Sequence, residues 1–189
     1  MAIYRRHKNS LAFHLQKKDT PKNKKESFIK KIFNYFILIF AAIVLGYALI
    51  EFCVQTVPMN DTSMEPLYSQ GEKLILDKMV YHFKEIKRND VVAIRKIGKN
   101  NGYDIKRVIG ISGDVISVSN GHIVVNGKEM KNSPDIHNIG ILNEKITVSQ
   151  DEYFVIGDNP DESEDSRFIN YGNIEKTEIK GKIVSALRR

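Results

Sequence analysis

The 189-residue sequence predicts a mainly β domain, built on coiled sheets or a partly open barrel and carried by one N-terminal transmembrane α-helix. Three observations lead there. An uncharged, apolar run of nineteen residues, Ile32 to Ile50, stands near the amino terminus. Beyond it, apolar and β-branched runs are short and separated by turn residues, with no sustained helical period. Two Asn-Gly pairs, Asn120-Gly121 and Asn126-Gly127, fall between such runs, where they supply the positive φ that two-residue hairpin turns require.

Residues 1–31 form a basic arm. Ten Lys/Arg stand there against Asp19 and Glu26, a local net of +8; taken from the overall +6, this leaves −2 for residues 32–189. The basic character therefore belongs to the arm, and a slightly acidic domain lacks the cationic face that neutralises phosphates, which argues against nucleic-acid binding. Lys alternating with Asn, Ser, Thr and Pro21 predicts disorder over 1–31, with attraction to anionic lipid.

The next segment, 32–54, reads as the membrane helix. At about 1.5 Å per residue, nineteen residues approach the roughly 30 Å hydrocarbon thickness of a bilayer, and the run lacks the polar stripe of a core helix. Lys30, Lys31 and the cations before them place the amino terminus in the cytoplasm and residues 55–189 outside. A cleaved secretory signal would be shorter and end in a small-x-small site; here the run ends Ala48-Leu49-Ile50-Glu51-Phe52, which fits an uncleaved anchor.

In the exported part, 55–189, strands are expected over Lys73–Tyr81, Asp90–Lys96, Ile105–Ile111, Val115–Ser119, His122–Val125, Lys145–Val148, Tyr153–Ile156 and Gly181–Leu187. The single Cys53 rules out an intrachain disulfide and any Cys-cluster metal site. The five histidines contain no HExxH or other close pair, so a His-based metal site or triad has little support.

Three segments carry chemistry. Ser63, between Pro58 and Pro66, lies in a stretch that resists regular structure, where a hydroxyl can be a turn or cap group or can face a cleft. In Ile105-Lys106-Arg107-Val108-Ile109, strand alternation puts Lys106 on one face with Val108. Lys106 can extend its head to water, or be partly desolvated, which disfavours the ammonium and leaves an amine able to accept a proton. The third segment has five acids among the eight residues Asp158 to Asp165. Ser163 and Ile169 stand where an EF-hand loop needs Gly and Glu, so calcium is not expected.

In this order the segments resemble the type I signal peptidases, membrane-anchored serine proteases that remove signal peptides. Ser63-Met64-Glu65-Pro66 is similar to that family's Ser-Met-x-Pro box. Ile105 to Gly110, with Gly113-Asp114, is similar to its Lys-Arg box. Gly157-Asp158-Asn159, Ser163, Asp165, Ser166 and Arg167 match a Gly-Asp-Asn-x-x-x-Ser-x-Asp-Ser-Arg box, and the likeness runs from about Phe33 to Val184. The resemblance implies the coiled β-sheet shared with self-cleaving repressors of the LexA type, which are soluble and DNA-binding and so disagree with the membrane span. It implies Ser63 as nucleophile, Lys106 as general base, the Ser63 N–H as oxyanion donor and Ser163 as the group that orients the Lys106 amine. Met64 and Pro66 then frame the nucleophile, while Arg107–Asp158 and Asp165–Arg167 become structural ion pairs.

Asp61 departs from the pattern, since some members supply a second oxyanion donor from a serine at that position and a carboxylate there would repel the oxyanion. Leu67 replaces a common Thr, and Pro160 a common Arg. The expectation is a single-pass plasma-membrane endopeptidase cleaving exported preproteins after small residues at the first and third positions before the cut. Preproteins and membrane lipid are its partners, and no metal, cofactor or nucleic acid is implied. The short interval between the second and third boxes suits the Gram-positive form. The alternative is a signal-peptidase-like protein that binds substrates or assists surface-protein assembly with little or no proteolysis.

Overall fold

The computed structural model describes residues 21–95, 102–131 and 134–187. Residues 1–20 of the arm and Lys96, the end of one expected strand, lie outside the described residues. The chain divides into two compact units between Leu49 and Ile50.

The first element is helix α1, Pro21–Cys53. It begins eleven residues before the expected Ile32, so residues 21–31, expected to be disordered, are helical. Pro at the first turn and the Lys and Glu that follow all suit a helix. Its portion Ser27–Cys53 is unburied and is long and apolar enough to cross a membrane, with a mean hydropathy of 2.5 in an 18-residue window within it. Phe36, Ile39 and Phe40 are among its many exposed apolar side chains. Such a surface is unfavourable in water and matched to lipid. The helix stops where Val54 enters a strand, and the Lys78 N–H donates to the terminal Cys53 carbonyl at 2.9 Å.

The second unit is mainly β. Its elements are β1 Val54–Pro58, β2 Lys73–Asp77, a short helix α2 Val80–Phe83, β3 Val91–Ile94, β4 Asp104–Gly110, β5 Val115–Ser119, β6 His122–Val125, β7 Lys128–Glu129, β8 Ile146–Thr147, β9 Glu152–Ile156, β10 Ile174–Glu175 and β11 Ile179–Leu187. Seven strands form one antiparallel sheet in the order β1-β2-β11-β3-β4-β9-β10. Breaks in register within β11 and between β4 and β9 bend this sheet, and its edges β1 and β10 do not pair, so it curls without closing. The other four strands, β7-β6-β5-β8, make a smaller sheet.

Three details of sequence explain this layout. Asn120 and Gly121 at φ 53° and 82°, and Asn126 and Gly127 at 53° and 77°, make the two hairpin turns of the small sheet. The run expected as one strand to Tyr81 ends at Asp77, whose Oδ1 accepts the Met79 and Val80 N–H groups at 2.9 and 3.0 Å and turns the chain into α2. Strand β3 is apolar throughout because both its faces are covered. Val91 and Ala93 join a cluster with Met59, Met64, Leu74 and Ile105, while Val92 and Ile94 join another with Val108, Val155 and Ile174. A third cluster, including Ile109, Ile116, Ile123 and Phe154, packs the small sheet onto the large one.

Candidate active site

The site forms where the β1–β2 loop, strand β4 and the segment after β9 meet. Loop residues 59–72 are folded back by Met59 N–H to Glu72 O and Gly71 N–H to Met59 O, both 2.8 Å, and Met64 is anchored in the core at 0% exposure. Pro66 is exposed beside it. Ser63 is thereby held at 1% exposure. Strand β4 presents Lys106 opposite Val92 of β3, on the face that alternation predicts, and Lys106 is 2% exposed. Forty-three residues apart in the chain, the two side chains meet: Lys106 Nζ donates to Ser63 Oγ at 2.8 Å.

The segment after β9 clamps this pair. Asn159 N–H donates to the Ser63 carbonyl at 2.9 Å and its side-chain amide to the Thr62 carbonyl at 3.3 Å. Gly157 is needed for that approach, since a Cβ there would lie 2.4 Å from Ser163 Oγ and 2.5 Å from the Ser63 carbonyl oxygen. Arg107, on the other face of β4, grips Asp158 with two hydrogen bonds of 2.6 Å. These hydrogen bonds outweigh burial and raise the Arg107 pKa further, so the guanidinium stays charged.

Asp165 and Arg167 are both fully buried. Arg167 Nε and Nη2 donate to the two Asp165 oxygens at 2.8 and 2.9 Å, and Arg167 also reaches the Asn138 and Pro160 carbonyls at 2.8 and 2.7 Å. Removing either partner would leave a buried charge unpaired, which costs about 3–5 kcal/mol. Asp158 and Asp165 thus spend their carboxylates on arginines. Asp114, close after β4, accepts from Arg88 Nε at 2.6 Å, from the Ile111 N–H and from the Asn126 amide, both at 2.9 Å, and fixes the turn into β5.

One sequence expectation comes out differently in geometry, and one question the sequence left open is answered. Ser163 Oγ, buried beside Gly157, has no hydrogen-bond partner among the described residues, so no bond from it orients the Lys106 amine. The amine is turned to Ser63 instead. Asp61 faces inward: its Oδ1 accepts the Ser63 N–H at 3.0 Å and the Ser63 hydroxyl at 2.6 Å. Asn159 and Gly157 had no assigned role from sequence. A Gly at the end of an apolar strand run, followed by Asp-Asn, was the available signal for a close backbone approach.

A buried lysine against a serine hydroxyl is a base and nucleophile arrangement, in which the amine, when neutral, can take the hydroxyl proton. A family model described as signal peptidase, peptidase S26, matches residues 32–187. A signal peptidase I P of Bacillus subtilis subsp. natto is 32% identical over 83% of this chain and 90% of its own length. A signal peptidase I of Bacillus licheniformis is 33% identical over 84% and 88%. The crystal structure of a signal peptidase I from Enterococcus faecalis V583 covers 53% of this chain and 98% of that one, with 23% identity and a TM-score of 0.42.

Proposed function

Because the chain belongs to the signal peptidase family, peptidase S26, and is a membrane-anchored serine peptidase, we propose that it cleaves signal peptides from exported preproteins with Ser63 as nucleophile and Lys106 as general base. One observation carries the assignment: Lys106 Nζ lies 2.8 Å from Ser63 Oγ in a site where both residues are at most 2% exposed. Burial disfavours the ammonium, so a neutral amine is available to accept the Ser63 proton. Oγ then attacks the scissile carbonyl, and the Ser63 N–H holds the oxyanion. The Lys106 ammonium returns its proton to the leaving amine, giving an ester on Ser63. Water, deprotonated by Lys106, hydrolyses that ester and frees the enzyme. Ser163, buried with an unused hydroxyl, serves as the partner for the Lys106 amine when it turns from Ser63.

Substrate preference follows the resemblance: small residues at the first and third positions before the cut. The cations before the span keep the amino terminus in the cytoplasm, so catalysis occurs on the outer face of the plasma membrane. The second reading is a binding or assembly protein with little proteolysis, and the contact of Asp61 with Ser63 favours it. Processing of a small-x-small precursor by the detergent-solubilised full chain separates the two. Wild type should cleave, while Ser63→Ala and Lys106→Ala should lose at least about a thousandfold in kcat/KM. Equal processing by all three contradicts the dyad, and no processing by wild type selects the binding module.

A further inference from the structure

The inward turn of Asp61 places one carboxylate oxygen on both groups that acyl transfer requires. Oδ1 accepts the Ser63 N–H at 3.0 Å, the donor an oxyanion would need, and the Ser63 hydroxyl at 2.6 Å, the proton Lys106 would have to take. Lys106 meanwhile donates to Oγ at 2.8 Å. The hydroxyl proton thus points at the carboxylate while Oγ accepts from the amine. An ionised carboxylate has no proton to offer a developing oxyanion and repels it. The site as it stands is at rest.

The contact is also built to open. It spans two residues, a local Asx-type turn in which a side chain bonds the N–H two positions on, and a rotation of one side chain breaks it. Asp61 is half-buried, whereas Ser63 and Lys106 are almost sealed, so Asp61 is the partner with access to solvent.

We propose that Asp61 is a positioning residue that latches Ser63 in the resting state and is displaced by the scissile carbonyl of the preprotein. This rests on the Ser63/Lys106 assignment. The entering carbonyl oxygen takes over the Ser63 N–H, the carboxylate swings to water, and the freed hydroxyl proton turns to Lys106. No bond beyond those of the peptidase reaction is made or broken. Substrates that dock well enough to expel the carboxylate are cut, and weakly held peptides leave the nucleophile capped, so the latch sets a threshold for substrate binding.

A latch that substrate must displace reduces apparent affinity by the fraction of unlatched enzyme and leaves the saturated rate alone. In the full chain in detergent, Asp61→Ala should therefore lower KM for a small-x-small peptide about tenfold with kcat within about twofold, and Asp61→Asn, which keeps an acceptor but no charge, should fall between it and wild type. The Tm should not rise. A fall in kcat/KM in both variants would show that Asp61 assists the reaction, and an unchanged kcat/KM that it does nothing; either overturns the latch. A rise in kcat at constant KM would mean that the carboxylate stays in place and repels the oxyanion, which also overturns displacement.

A second readout does not depend on peptide cleavage. The rate at which a neutral fluorophosphonate modifies Ser63, followed by mass spectrometry, should increase in Asp61→Ala and Asp61→Asn. An equal or slower rate contradicts the latch. If Ser63→Ala cleaves as wild type does, the dyad fails; if only the Asp61 variants misbehave, the dyad stands and the latch alone falls.

Discussion

At the residue scale, the site depends on how three short segments bring a serine, a lysine and a carboxylate to one point. Lys106, opposite Val92 of β3, is buried at 2% exposure, and its amine meets Ser63 Oγ. If that amine is the base, activity should rise with pH as the amine loses its proton; a profile flat between about pH 5 and 9 would contradict a titrating base. Ser63 and Lys106 stood out from sequence only through the order of the three segments and the eleven-residue third box, because each short box alone is weak. The direction of Asp61 was not legible. Its choice between solvent and Ser63 is a single side-chain rotation, settled by contacts that no local pattern encodes. Ser163 illustrates the converse: a resemblance names a role, yet its hydroxyl makes no hydrogen bond among the described residues.

At the scale of elements, the β4–β5 turn holds in register the strand that carries Lys106. Burial works against ionisation of Asp114, but hydrogen bonds from Arg88, the Ile111 N–H and Asn126 prevail and hold its carboxyl below the ordinary carboxylate value. A carboxyl lowered by folding stabilises the native state fully above its unfolded pKa, and that contribution disappears as pH falls through the folded value. Thermal denaturation of wild type and Asp114→Asn should therefore show a constant Tm gap from about pH 7 to 5 that narrows below about pH 4. A gap that persists undiminished into strong acid would contradict the clamp. The longer strands and both Asn-Gly hairpins were legible from alternation and turn chemistry. The two-residue strands β7 and β10 were not, because two residues carry no period. Strand β1 was missed because Pro58 reads as a breaker, although an edge strand tolerates it at its end.

At the scale of the whole molecule, the charge asymmetry and the apolar helix belong together. A +8 arm, an uncharged span and a domain of slight negative charge suit a membrane-anchored enzyme better than a basic binding protein, and the proposed topology puts the arm in the cytoplasm. The central claim is that Lys106 activates Ser63 in the domain that the tether holds outside the membrane. It is tested most directly by treating intact cells that produce the full chain with a membrane-impermeant fluorophosphonate and mapping the modified residue by mass spectrometry. The account predicts modification of Ser63 in wild type and at least a hundredfold slower labelling, on the order of a lost general base, in Lys106→Ala. Labelling of Ser63 at the same rate in Lys106→Ala, or only after the membrane is breached, would contradict it.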